Sequence, residues 1–494
     1  MEWQIVERIA TVLSRFARRR RMAAAAPYLV LFEPLDGLPG AGWPLLALSV
    51  GIWLTRPDLQ DLFDPDSPEG RKAFLFWQLE HGRREYGALR EAFARPEVLA
   101  LYTTELGPAP PSAPPPPQPP TGGVNLFGHL HAQLGVGEDA RCAAAAMVAA
   151  HIPHVLIDAP VGADIGLEPH AFVAPIVEAP VHATNVFVMS AFETFRYFCV
   201  NGSGAWAGRR TICVWPWELP LWPETLEFCY LLADEIWAIS AFVRGAFELT
   251  SPVPVVTMPS AVTIPEVSPD RVPFGLPDHA YVFVTLFDFN SGYNRKNPRA
   301  AIAAFREAFP IGESQPAADK RDVLLVVKAM RASTAPRLWE DLQRVAGGDP
   351  RICFIDESWP RSRTMALLAA CDCLVSLHRA EGFGRPIAEA LLLRKTVVAT
   401  YWSGNLDFCA CGEQLFVEAR MNPVGPRDYR WGADQSWAEP DPSAAAAALR
   451  EARRLGRRPA PSPGDIFAPE TAGARYRARL RSLEVIEGES SSPA

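Results

Sequence analysis

The sequence predicts an α/β protein of two doubly wound domains facing a cleft, preceded by a small α-helical module. Three observations carry that prediction. From Val124 onward, short apolar runs alternate with amphipathic or alanine-rich stretches, the pattern of strands and crossover helices in a parallel sheet. A proline-dotted stretch over 252–277 interrupts the alternation, and a second series of the same kind starts at Tyr281. Ahead of Val124, residues 107–123 are dominated by proline, including Pro114 to Pro117, and read as a semi-rigid polyproline spacer. A chain of 494 residues with 49% hydrophobic content has material for two or three cores.

The formal net charge of −8 argues against a nucleic-acid partner recruited by bulk charge. Nine scattered cysteines fit a reducing compartment better than a disulfide framework. Cys371/Cys373 and Cys409/Cys411 form C-x-C pairs beside expected strands. They lack the usual metal-ligand spacing and read as small hydrophobes, so no metal site is expected. Arg18 to Arg21 form a basic run, but Pro27, Glu33, Pro34, Asp36 and Pro39 break up the apolar material after it. The run Leu45 to Leu54 is far short of the ~20 residues of a spanning helix. A cytoplasmic location is the expectation, with Ile5 to Arg21 as the segment that peripheral contact at an inner membrane would use.

In order, residues 1–106 read as a helical accessory module through which a protein partner or a second copy would dock. The first α/β domain spans 124–268, with strands expected at Val124 to Gly128, His154 to Asp158, Asn185 to Met189, Thr211 to Trp215 and Glu235 to Ser240. A glycine-rich loop after its first strand carries His131, Gly135, Gly137 and Glu138, at the place where open α/β sheets bind ligands. Its G-x-G lacks the dinucleotide spacing, which disfavours an oxidoreductase. His131 and Glu138 are either ligand-facing groups or, respectively, a solvated histidine and a neighbour of a helix cap. The aromatic cluster around Glu218 in Trp215 to Pro220 is either core or a platform for a sugar ring.

The second domain spans 269–465 and opens with the strand Tyr281 to Asp288. The following loop carries Arg295 and Lys296 beside the start of a helix, where a lysine suits a phosphate and otherwise is a solvated surface cation. Lys328 ends the strand Leu324 to Lys328, either as a sheet-end surface charge or as a second ligand contact. A closing helix is expected within 466–486 and a disordered tail at 487–494.

The densest signal is Ser376 to Glu389, which reads as the end of a buried strand, a glycine turn and the start of a helix. Gly382 and Gly384 let the backbone approach a ligand, and the free N–H groups at a strand-to-helix junction suit a diphosphate or a sugar hydroxyl. Glu381 stands on the turn and Glu389 about one turn into the helix, so both can reach one ligand. A carboxylate near a helix start also has a plain role in complementing the helix dipole.

Glu381-Gly382-Phe383-Gly384 with Glu389 resembles the E-G-F-G-x4-E signature of the retaining GT-B glycosyltransferases grouped as family 4. The match continues through Thr396 to Phe408 with its Ser403-Gly404-Asn405 loop, and more loosely through Trp217-Glu218 and Asp234 to Ser240. The resemblance implies a GT-B fold, with 124–268 as acceptor domain and 269–465 as nucleotide-sugar donor domain. It implies that Glu381 meets the transferred sugar, that Gly382 to Gly384 meet sugar or phosphate, and that Glu389 grips the ribose. It further implies that Lys296 stabilises the leaving diphosphate, that the segment with Asp356 and Glu357 meets the nucleobase, and that Glu218 touches the acceptor. One departure stands out. The family's arginine at the end of the preceding strand has no counterpart in Asp288 to Asn290, leaving Arg295 as substitute or a rearranged loop.

By resemblance, the expected reaction is transfer of a sugar, mannose by analogy, from a nucleotide diphosphate to a glycan or lipid-linked acceptor of bacterial polysaccharide synthesis. The nucleotide sugar is then a co-substrate, with no cofactor and no metal. The alternatives are a non-catalytic GT-B-like binding or assembly protein and a nucleotide-sugar epimerase.

Overall fold

The computed structural model describes residues 3–24, 26–39, 43–102, 122–162, 165–311, 322–432 and 434–487. The expected spacer, apart from Gly122 and Gly123, and the tail after Glu487 lie outside the described residues.

Two six-stranded parallel sheets make up the two α/β domains. The first contains β1 (Val124–Gly128), β2 (His154–Asp158), β3 (Thr184–Val188), β4 (Arg210–Val214), β5 (Glu235–Ala238) and β6 (Val255–Thr257), in the order β2-β1-β3-β4-β5-β6. The second contains β7 (Tyr281–Asp288), β8 (Val323–Met330), β9 (Ile352–Asp356), β10 (Cys373–Ser376), β11 (Thr396–Thr400) and β12 (Gln414–Val417), in the order β12-β11-β10-β7-β8-β9. In each sheet the order reverses beside the first strand, between β1 and β3 and between β7 and β10. Crevices at such reversals, outside the carboxyl ends of the strands, are where open sheets hold ligands. The loop after β7 carries Lys296 and the turn after β10 carries Glu381, so the topology brings together residues 85 positions apart in sequence.

The strands follow the apolar runs to within about a residue at most ends. β6 departs from expectation, because it lies in the proline-dotted stretch read as a hinge. Pro252 and Pro254 lie just before a three-residue edge strand, where a missing N–H costs no ladder bond. An antiparallel hairpin of β13 (Ala419–Pro423) and β14 (Ser436–Pro440) was also not legible in the sequence.

The helices of the first hundred residues pack on the first α/β domain. Helix Trp3–Arg21 buries Val6, Ile9, Ala10, Leu13, Phe16 and Ala17, and these belong to one apolar core with the first sheet. The helix lies on segment Glu224–Leu232, where Ser14 Oγ accepts a 3.1 Å bond from the Phe228 amide and Arg15 pairs with Glu224 at 2.9 Å. Arg18 pairs with Glu227, and Arg21 donates to the Ala233 carbonyl at 2.9 Å. The apolar stripe and much of the basic run are thus engaged within the chain. No helix among the described residues is long and apolar enough to cross a membrane. Phe16→Ala is expected to cost about 3–5 kcal/mol, read as a shift of the urea midpoint of the first domain's unfolding; an independent module would leave that transition in place.

The last helix, Pro469–Ser482, returns to the first domain. It lies so close to helix Gly135–Ala149 that a Cβ on Gly473 would stand 2.2 Å from the Ala146 carbonyl oxygen. Arg479 pairs with the fully buried Glu235 on β5, and the Tyr476 ring lies 4.9 Å from that of Trp237.

Candidate functional site

Between the carboxyl ends of the two sheets runs a cleft of about 760 Å³. Gly382, Phe383 and Gly384 line it after β10, and Gly384 has the left-handed φ of +90° that opens helix Arg385–Leu392. Gly382 is required by packing: a Cβ there would stand 2.6 Å from the Trp217 carbonyl oxygen of the first domain. Ser240 Oγ caps helix Ala241–Glu248 and donates to the Gly382 carbonyl at 2.6 Å, while Asp407 accepts from the Ala241 amide at 2.7 Å. The Ser403-Gly404-Asn405 loop props the turn from behind. Ser403 Oγ accepts from the Glu381 amide (2.8 Å), and the Gly404 amide donates to the Glu381 carbonyl (2.8 Å).

Asn405 Oδ1 faces Nε2 of the buried His378 at 3.1 Å. Burial lowers the His378 pKa; Nε2 also faces the Trp402 carbonyl at 3.2 Å, and Nδ1 faces the carbonyl and hydroxyl of Ser376 at 3.0 Å. With these props in place, the amides of Gly382, Phe383 and Gly384 donate to no protein acceptor among the described residues.

Beneath the turn lies a buried ion group. Glu381, 6% exposed, takes Lys296 Nζ at 2.5 Å and Arg295 Nη1 at 3.1 Å. Arg295 also donates to the Ser291 and Ala380 carbonyls, and lies 3.6 Å from Glu218, which accepts the Tyr429 hydroxyl bond. Burial alone would raise the Glu381 pKa, but the Lys296 and Arg295 cations outweigh it and hold the carboxyl at about 2. Burial lowers the Lys296 pKa against the pull of Glu381.

Glu389, 3% exposed, lies further along the same wall and is bound by Arg361 at 2.7 Å. Arg361 begins helix Arg361–Ala370 of the second domain and reaches across the cleft. It pairs with Glu138 at 2.9 Å, donates to the Thr263 carbonyl at 2.7 Å, and offers its own amide to Glu168 at 3.0 Å. Arg385 crosses likewise to Asp139. Burial would raise the Glu138 pKa, but Arg361, Arg385 and Arg141 together lower it.

Of the residues singled out in the sequence, Glu381, Glu389, Arg295, Lys296, Gly382 to Gly384, Gly135, Glu138 and Glu218 all line this cleft. Four do not. His131 lies outside the lining and bonds Asp158 at 2.9 Å. Gly137 is a packing glycine, whose Cβ would stand 2.7 Å from the carbonyl oxygens of His129 and Ala132. Asp356 accepts the Ala332 amide bond, and Glu357 accepts the indole N–H of Trp359 at 2.5 Å; both lie outside the lining, to which Trp359 and Lys328 belong. The site also includes residues that sequence reasoning passed over: Arg361, Arg385, Asp139 and Tyr429. Arg385 lies inside the quoted motif and Asp139 follows Glu138 in the glycine-rich loop, but nothing in the sequence ties Arg361 and Tyr429 to the cleft. Among the described residues, no group of three His, Cys, Asp or Glu side chains is placed to hold a metal ion, and all nine cysteines are free.

No protein-family model and no curated protein sequence matches the chain. Among solved structures it is similar to HepE of Anabaena in complex with UDP-glucose, with 15% identity over 73% of this chain and 99% of that one and a TM-score of 0.47. It is also similar to sucrose-phosphate synthase of Thermosynechococcus elongatus (14%, 73% and 94%, 0.48). A third is WaaG, a glycosyltransferase involved in lipopolysaccharide biosynthesis (15%, 74% and 100%, 0.40).

Proposed function

We propose that this cleft binds a nucleotide-diphosphate sugar and transfers the sugar, with retention of configuration, to a hydroxyl of a glycan or lipid-linked acceptor. The observation that carries the reading is the buried Lys296–Glu381–Arg295 group under a glycine turn whose amides have no protein partner among the described residues. Cations and oriented amides that converge on one point in a water-poor cleft are what a departing diphosphate needs.

Before a donor binds, Glu381 neutralises the two cations. When a diphosphate enters, Lys296 turns to it and Glu381 is freed for hydroxyls of the transferred sugar. The bond from the anomeric carbon to the phosphate oxygen breaks with its electron pair passing to the phosphate. The acceptor oxygen bonds the same carbon from the same face, and its proton passes to the departing phosphate oxygen. No carboxylate base is required. Glu389 takes the ribose once Arg361 releases it, and Glu218 and the tryptophans around it form the acceptor wall. Mannose as the sugar and polysaccharide assembly as the setting belong to this proposal by analogy only.

The test is calorimetric titration with GDP-, UDP- and ADP-sugars of the parent, Glu389→Ala and Lys296→Ala, with slow donor hydrolysis followed in the same samples. One nucleotide class is expected to bind and to lose about 10- to 100-fold in each variant, the loss of one charge-assisted bond. A parent that binds none of them would move the non-catalytic binding protein to the front.

A further inference from the structure

Among the described residues, seven cationic side chains line the cleft, and five of them are neutralised by carboxylates. Arg141, Arg361 and Arg385 pair with Glu138, Glu389 and Asp139, and Arg295 and Lys296 share Glu381. Among the described residues Arg430 forms no ion pair, and it lies over the rings of Phe192, Trp431 and Trp3, an exposed residue unlike Lys328. Lys328 is different. It is 2% exposed, forms no ion pair, and its Nζ donates only to the Ala329 carbonyl (2.9 Å) and the Glu357 carbonyl (2.7 Å). A third N–H is left over, at the carboxyl end of β8 beside β7.

The charged groups around it are all committed elsewhere. Asp288 on β7 takes Arg331, Asp356 on β9 takes the Ala332 amide, and the Glu357 carboxylate takes Trp359. Lys328 Nζ lies over the Trp359 ring at 4.8 Å from its centre, and the Arg363 guanidinium lies over the same ring at 4.2 Å. A buried charge without a counter-ion is costly, and the cost is recovered when a ligand brings the missing anion.

We infer that Lys328 binds the diphosphate of the nucleotide, as a second cation set apart from the Lys296–Glu381–Arg295 group. This rests on the nucleotide-sugar reading of the cleft. Burial lowers the Lys328 pKa to about 8, against the pull of Asp356, Glu357 and Asp288 and with a smaller push from Arg331 in the same direction as burial. The ammonium is therefore charged below about pH 8 and lost above it, and an anion that binds it draws in a proton near pH 8.5. The phosphates themselves, with a second pKa of about 6, take up none there.

The experiment titrates the full chain and Lys328→Met with UDP, GDP and ADP and with the matching nucleosides, at pH 7 and 8.5, in two buffers of different ionisation heat. For the nucleotide class that the parent binds, the variant is expected to lose about 10- to 100-fold in diphosphate affinity. Its nucleoside affinity should stay within about twofold, as a charge effect requires. The proton uptake of the parent at pH 8.5 should fall in Lys328→Met, and Lys328→Arg should keep the preference for diphosphate over nucleoside. Equal losses for diphosphate and nucleoside, or unchanged proton uptake in Lys328→Met, would assign the lysine a purely structural role. A parent that binds no nucleotide would instead bring down the nucleotide-sugar reading, and this inference with it.

Discussion

Lys296→Ala is expected to lower sugar transfer by about a hundred- to a thousandfold, the usual loss when one preorganised stabiliser of developing charge is removed. The fold should survive, because Glu381 keeps Arg295 at 3.1 Å and its own amide keeps Ser403. Glu381→Gln is expected to behave differently. It leaves Lys296 and Arg295 buried with no carboxylate between them, so activity falls and stability drops by about 3–5 kcal/mol. Comparing the two separates a charge aimed at the ligand from a charge needed to balance the interior. The readouts are kcat and KM for transfer beside the urea midpoint of each variant.

The same pair predicts an acid limit. The Glu381 pKa is depressed to about 2 in the folded chain from an ordinary 4.5. The stability it contributes is therefore complete above about pH 4.5 and lost as pH falls from there towards 2. Glu381→Gln should be less stable than the parent at neutral pH and should flatten that part of the acid profile. A parallel loss in both proteins between those pH values would show that other carboxylates govern acid unfolding.

Much of this site could be read from the sequence because the chemistry is local. The glycine turn needs Gly382 and Gly384 in place: one faces the Trp217 carbonyl and the other takes a positive φ. Lys296 stands where a loop meets a helix, and the alternation of apolar runs set out both sheets. Whatever depends on which surfaces meet was not legible there. Helix Trp3–Arg21 has an amphipathic stripe, but a stripe does not say whether it faces a partner, a membrane or the rest of its own chain; the helix turned out to lie on Glu224–Leu232, with Ser14, Arg15 and Arg18 bonded to it. His131 stands in the glycine-rich loop, but its bond to Asp158, which arrives from the neighbouring strand, is a contact that no local pattern announces. Arg361 carries no local signature, since its partners Glu138, Glu168 and Glu389 come from three separate stretches.

Arg361→Met is the sharpest test of how the cleft is held together before a ligand enters. Arg361 binds Glu389 at 2.7 Å and Glu138 at 2.9 Å, both from buried positions. Glu138 would keep Arg141, but Glu389 would be left without an ion-pair partner. Breaking a buried pair from one side costs about 3–5 kcal/mol, and added salt should restore little of it because the pair is shielded from water. A nucleotide changes the balance. If its ribose hydroxyls take Glu389, the ligand supplies the partner that the variant lacks. The parent, in contrast, must first give up Arg361. Saturating nucleotide is therefore expected to raise the urea midpoint more in Arg361→Met than in the parent, which closes part of the gap seen without ligand. Equal ligand-induced shifts in the two proteins would mean that Arg361 and the nucleotide do not compete for Glu389, and that the ribose lies elsewhere in the cleft.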